Sequence, residues 1–245
     1  MLLDLKQIGV HYRKIIERKT GEYYERFDPY ILDKRPMVAE LVEKAFEENF
    51  PEKVPNLLDV GCGTCFYFPL LAKHAETLMG VDVCIPMLDV AQELIESKGL
   101  ANCHVRESSA MDLPFEDNSF DVVHSWDFLH HVPDVDKAIS EMIRVLKPGG
   151  RYIGVEPNLI NPSILWYHVR RRSEWGLLRK NQFTVPSLLR KEFDVTIRYD
   201  NTIISFLNPR TKWLWNAVNT FTSVWPTSYM SFRYMMSCVK RSDRP

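Results

Sequence analysis

The run Asp59-Val60-Gly61-Cys62-Gly63-Thr64 closes an apolar stretch and opens a helical one, a setting in which backbone passes close to a ligand. Gly61 and Gly63 carry no Cβ, so the turn can adopt torsions other residues resist and present its amides to a bound group. Phosphate readings of this turn fail on residue identity. A dinucleotide turn would repeat glycine where this chain has Phe66, and a phosphate loop would need Gly-Lys-Ser/Thr. The acidic residue before the turn suits a ligand with positive charge. Asp82 stands 23 residues further on, at the end of a second apolar run, where a carboxylate can accept both hydroxyls of a ribose. Ser109-Ala110-Met111-Asp112 follows a third run. There Asp112 can accept from an adenine amino group while the backbone reads the ring edge.

Proton chemistry has its candidates in Ser125-Trp126-Asp127-Phe128-Leu129-His130-His131. Imidazole titrates near neutrality, so His131, or failing it His130, could take a proton from an acceptor. The blander reading has one histidine bonded to backbone and the other lining a pocket. Glu156 could orient an acceptor or make a structural hydrogen bond. Cys62-x-x-Cys65 has redox spacing, but it lies inside the glycine turn and no second cysteine pair completes a zinc site. Asp127, Glu156 and Asn158 make only a thin magnesium constellation, and no metal is expected.

These residues need a scaffold, and the texture after Asn56 supplies it. Short apolar runs alternate with helical stretches, the pattern of βα units around a parallel sheet. Strands are expected at 56–60, 78–82, 103–106, 120–125 and 151–156, with helices at 66–74, 86–97 and 135–145. Phe193 to Tyr199 reads as a sixth strand and Phe232 to Val239 as a seventh. Residues 1–50 read as two amphipathic helices around an aromatic joint, Tyr23 to Tyr30. Three segments of one fold follow: a helical lid (1–50), a ligand-binding core (51–157) and an acceptor cap with closing strands (158–245).

Length and composition agree with a globular enzyme-sized chain. The 245 residues are 45% hydrophobic and 26% charged, enough to bury a substantial core. Five cysteines and a charged start, Met1 to Lys6, point to a reducing cytoplasm. The net charge of -1 hides an asymmetry: 17 Lys+Arg against 27 Asp+Glu through Leu165, then 14 against 5. A basic segment on an acidic body can mark an anionic substrate, a membrane surface or nucleic acid, although a solvated basic face is more frequent.

The turn, Asp82, the Met111-Asp112 loop, the run Phe120 to Ser125 and Arg144-Val145-Leu146-Lys147-Pro148-Gly149-Gly150-Arg151 together resemble the class I S-adenosylmethionine-dependent methyltransferases, in particular the type 11 subgroup. The resemblance covers about residues 55–157. It implies an α/β fold, a doubly wound, mostly parallel seven-stranded sheet with helices on both faces, and S-adenosylmethionine as cofactor. By resemblance Asp59, Gly61 and Gly63 surround the methionine part, Asp82 the ribose, and Met111 with Asp112 the adenine. The segment from Ser125 faces the transferred methyl. The family usually has a third small residue, most often glycine, at the position of Cys65. An N-terminal aromatic segment often folds over the cofactor, which makes Tyr23, Tyr24 and Tyr30 candidate lid residues; core packing is the equal alternative, and it is favoured for Phe27.

The expected reaction is methyl transfer to oxygen or nitrogen of a small-molecule, glycan-precursor or lipid-linked acceptor. Nucleic acid is an unexpected substrate: a cytosine-attacking cysteine after strand four and the Asp/Asn-Pro-Pro-aromatic motif are both missing. A non-catalytic S-adenosylmethionine-binding protein of regulation or assembly is the rival, and a nicotinamide oxidoreductase is disfavoured by Phe66. Ile160 to Arg172 and Arg210 to Trp215 place tryptophan beside cations, as membrane-interface segments do. A cap over the acceptor pocket is the favoured reading, and peripheral membrane contact the second.

Overall fold

In a computed structural model, residues 28–50, 52–170, 172–200 and 230–241 are described, with single positions at 10, 14, 213, 217, 220 and 221. Tyr23, Tyr24, Phe27 and most of 201–229 lie outside the described residues.

Helices α1 (Ile31–Lys34) and α2 (Pro36–Asn49) precede strand β1 (Val54–Val60). Helix α3 (Phe68–Leu71) leads to β2 (Ala75–Asp82), α4 (Ile85–Lys98) to β3 (Cys103–Glu107), and a long loop to β4 (Phe120–Trp126). Then come α5 (Val135–Val145), β5 (Leu146–Pro157), α6 (Pro162–Val169), α7 (Thr184–Leu189), β6 (Phe193–Asp200) and β7 (Arg233–Lys240). The sheet order is β3-β2-β1-β4-β5-β7-β6. The first five strands pair in parallel, and β7 runs antiparallel between β5 and β6.

The strand expectations hold to within a few residues because parallel strands buried on both faces read as near-continuous apolar runs. In β4 every residue but Asp121 is buried. Helix α5 buries Val135, Ala138, Ile139, Met142 and Val145, one face at helical spacing, and the Asp134 side chain caps its first turn by accepting from the Lys137 amide at 3.0 Å. The helix expected at 66–74 is shorter: α3 begins at Phe68 with Pro69 in its first turn, where a missing amide costs nothing, and Ala72–His74 continues as a 3-10 turn. Strand β5 begins earlier than expected, at Leu146.

The second half of the expected lid is a core helix. Val38, Val42, Ala45 and Phe46 of α2 are buried in the same cluster as Leu57, Phe68, Leu71 and Trp126. The Tyr30 hydroxyl lies 3.2 Å from Ser97 Oγ, in the last turn of α4. The opposite face of the sheet is closed by α5 and α7 over Leu58, Val123, Tyr152, Phe193 and Tyr234.

Successive crossovers leave β1 to opposite sides, toward β2 and toward β4. This reversal opens a crevice at the carboxyl ends of β1 and β4, where ligands of open α/β sheets bind.

Candidate active site

Three bonds anchor the glycine turn to β2, one of them from the Cys62 amide to the Val81 carbonyl at 3.1 Å. The Gly61 amide donates to the Val81 carbonyl at 2.8 Å, and the Gly63 amide to Asp82 Oδ2 at 3.0 Å. Both glycines have positive φ, +77° and +54°. A Cβ on Gly61 would lie 2.0 Å from the Phe128 ring, whereas one on Gly63 would meet only Met87 Sδ at 3.6 Å. The absence of side chains therefore does two things: it seats an aromatic ring on the turn at Gly61 and keeps the backbone open at Gly63. Cys65 has φ +56°, the region that favours glycine, which accounts physically for the small residue usual at that position. The Cys62 and Cys65 thiols are buried, and burial pushes both up, so they stay protonated and unreactive.

The cleft beside the turn spans about 410 Å³, its open mouth included, and is walled by Gly61, Asp82, Val83, Ala110, Met111, Phe128, His131 and Val132 among others. Of the residues singled out in the sequence, Gly61, Asp82, Met111 and His131 meet there. Asp82 Oδ1 also accepts the Cys84 amide at 2.8 Å. Burial raises its carboxyl above the usual aspartate range, against the pull of its amide donors. Asp112 is exposed, next to the cleft residue Met111, and its amide donates to the Ser109 carbonyl at 3.1 Å.

Asp59 is a brace under the turn and not a wall of the cleft. It is fully buried, Tyr67 donates its hydroxyl to Oδ2 at 2.8 Å, and His124 Nδ1 lies 2.6 Å from Oδ1. Ser125 is also drawn inward, with Oγ 2.8 Å from the Tyr152 hydroxyl. These bonds hold β1 to β4 and β4 to β5.

The paired histidines part company. His130 is buried and its Nδ1 lies 2.6 Å from Glu156 Oε2, while His131 lines the cleft. Glu156 Oε1 accepts the amides of Phe128 and Leu129 at 3.1 and 2.7 Å. Glu156 thus fixes the 3-10 turn Leu129–His131 that delivers His131. Neither His130 nor Glu156 is a wall of this cleft.

Three contributors have roles that the sequence did not signal. Phe128 sits on Gly61, which apolar patterning cannot report. Arg144 donates to Glu141, Asp117 and the carbonyls of Leu113 and Phe115, while Glu141 accepts the Leu113 amide; together they hold the loop that carries Met111. Arg233 pairs with Asp127, whose φ of +51° turns the chain from β4 toward the histidines.

A family profile described as "Methyltransferase domain" matches residues 58–154. A demethylmenaquinone methyltransferase of Geobacillus sp. is 32% identical over 168 residues, covering 66% of this chain and 70% of the relative. The chain belongs to the S-adenosylmethionine-dependent methyltransferases. Two further relatives of this methyltransferase are a demethylmenaquinone methyltransferase of Lactiplantibacillus plantarum (34% identical; 56% of this chain, 61% of the relative) and the uncharacterized methyltransferase YcgJ of Bacillus subtilis (30%; 60% and 64%). The match spans just under two thirds of the length of these last two relatives. Its fold is shared with a solved SAM-dependent methyltransferase from Aquifex aeolicus at TM-score 0.59 and 19% identity, covering 93% of this chain and 97% of the other. The YcgJ structure aligns at TM-score 0.58 and 20% identity, covering 82% and 99%.

The family's cofactor, S-adenosylmethionine, fits the residues of this methyltransferase. The turn is open at Gly63, and Thr64 within it has a buried hydroxyl with no hydrogen-bond partner, as suits a group whose bonding a ligand completes. Asp82 presents a carboxylate to the cleft, and Val83, Ala110 and Met111 give it an apolar side for a purine.

Proposed function

We propose that this chain transfers the methyl group of S-adenosylmethionine to oxygen or nitrogen of a small-molecule, glycan-precursor or lipid-linked acceptor. The observation that carries this reading is that Asp82 and His131, from β2 and from the turn after β4, wall one cleft together with Gly61. When bound, the cofactor supplies an already activated methyl group, so alignment of the acceptor is the main task, worth roughly 7–11 kcal/mol.

In this reading Asp82 accepts the ribose hydroxyls, Met111 and Asp112 hold the adenine, and Gly61 and Gly63 admit the methionine part. Phe128 and Val132 exclude water from the reacting end. His131 takes the proton of a hydroxyl acceptor; an amine that has lost its proton before binding would need no base. Glu156 and His130 act through position, by fixing the turn that bears His131.

The cap supports an amphiphilic acceptor. Trp166, Val169, Trp175 and Phe183 are exposed, and the Arg170 guanidinium lies 4.7 Å from the Trp166 ring. Aromatic rings beside cations suit an interface rich in anionic lipid, which supports peripheral membrane contact as a second reading of this segment beside the favoured pocket cap, in a protein of the cytoplasm. No described helix is long and apolar enough to cross a membrane. Incubating a lysate extract with methyl-labelled S-adenosylmethionine and the protein tests the activity. A labelled product that requires the chain and falls with Asp82→Ala at low cofactor concentration is expected; its absence across extracts, with cofactor binding intact, would leave a binding protein.

A further inference from the structure

Lys180 follows the 3-10 segment Arg172–Leu178 and precedes α7, within a polar run, Arg179-Lys180-Asn181-Gln182, that reads as ordinary surface. It is not surface. The residue is 7% exposed, and its Nζ is closed off from solvent without a hydrogen-bond partner. An ammonium has three donors and no acceptor, and burying it unbonded is among the costlier arrangements a fold can hold.

Its place is set by backbone contacts. The Lys180 amide donates to the Gly176 carbonyl at 3.0 Å, and Gly176 lies so close to the His130 carbonyl oxygen that a Cβ there would stand 1.7 Å from it. The cap segment leading into Lys180 is therefore seated directly on the turn that presents His131. Glu156 and Asp134, which hold that turn and the helix after it, are the acidic charges acting on the ammonium, and Arg179 opposes them. Burial outweighs their attraction and draws the lysine below its ordinary pKa. Glu156 is already engaged, one oxygen by two amides and the other by His130. Asp134 Oδ1 caps α5.

We propose that Lys180 anchors an oxyanion of the acceptor, so that the substrate of the methyl transfer inferred above carries a carboxylate or phosphate group. An anionic oxygen supplies the hydrogen bonds that the ammonium lacks and adds to the attraction of Glu156 and Asp134, and a compact ammonium suits either group as a point charge. A neutral acceptor of the same shape adds no such charge, which makes the contact a source of discrimination as well as affinity. The inference rests on the methyltransferase reading for the identity of the site, and its test can be separated from that reading.

The full chain, loaded with S-adenosylhomocysteine, is titrated by calorimetry with benzoate, phenyl phosphate and dihexanoyl phosphatidate. Benzamide and phenol serve as neutral counterparts. At least one oxyanion should bind, and the winning probe tells a free acid or phosphate from a lipid headgroup. Lys180→Met should weaken that binding by roughly tenfold or more, with Lys180→Arg recovering part of it. S-adenosylhomocysteine affinity should stay the same in Lys180→Met, which confirms the fold. Without any anion at pH 7, Lys180→Met should raise Tm, because it removes a buried unbonded cation. Four results overturn the proposal: no oxyanion binding by the native chain, equal binding of benzamide and benzoate, unchanged anion affinity in Lys180→Met, or a lowered Tm that makes Lys180 a structural brace. If S-adenosylhomocysteine itself fails to bind, the methyltransferase reading falls, and the anion titration is read on the free chain.

Discussion

Glu156, at the carboxyl end of β5, meets His130 with one oxygen and the amides of Phe128 and Leu129 with the other, so a single buried side chain sets the turn that aims the neighbouring His131 into the cleft. The two adjacent histidines thereby take different work: one is anchored, and the other is presented.

Glu156→Gln keeps the shape and one acceptor for the amides but loses the charge that faces His130. Stability should fall by about 1.5–3 kcal/mol in denaturant unfolding. An unchanged midpoint would mean that the turn holds without this carboxylate.

His131→Ala should leave both the unfolding midpoint and S-adenosylhomocysteine affinity close to native while lowering turnover, once an acceptor is in hand. His130→Ala should instead lower stability, since it strands Glu156 Oε2 in a buried site. Equal effects of the two substitutions on stability would contradict the division of roles.

Asp82→Ala should weaken S-adenosylhomocysteine binding by about 1–3 kcal/mol in calorimetry. The pH dependence has a definite sign. Burial raises the Asp82 pKa on folding, so the ionised form is the one the fold disfavours, and acidification protonates Asp82 at a higher pH than an ordinary aspartate near 3.9. Cofactor affinity should therefore decline as pH falls toward and through that raised value, and Asp82→Asn should abolish this part of the decline. By the same sign, Asp82 ionisation costs the ligand-free fold stability at neutral pH. Asp82→Asn removes that cost but sets a donor against the Gly63 or the Cys84 amide, so Tm without cofactor should fall, and a raised Tm would mean that those amide bonds contribute little.

Gly61→Ala and Gly63→Ala differ in what the new methyl meets. At Gly61 it collides with the Phe128 ring, at Gly63 it does not. Both take on the positive-φ penalty of about 1–2 kcal/mol, and Gly61→Ala should cost more. Adding Phe128→Ala should recover part of the extra loss, a coupling of about 0.5 kcal/mol or more in a double-mutant cycle. Additive costs would remove the contact as an explanation.

Vesicle flotation tests the aromatic face of the cap. Co-flotation with anionic vesicles at low salt, reduced by Trp166→Ala and by added salt, is expected. Equal behaviour with neutral and anionic vesicles would leave the face as a plain cap surface.

Local patterns alone located β1 to β5, α5 and the order of glycine turn, Asp82 and Met111 loop, because apolar periodicity and turn chemistry act over a few residues. They also named Gly61, Asp82, Met111 and His131, which do converge on one cleft. Tertiary structure decided the partners. Asp59 finds His124 across 65 positions, and Ser125 finds Tyr152. Tyr30 goes to α4, and Lys180 is enclosed where its neighbours in sequence suggested solvent. Residue type tells what a group can bond, while the supply of donors and charge around it comes from strands and turns far along the chain. For a buried carboxylate or ammonium that supply, more than its own motif, settles what it does.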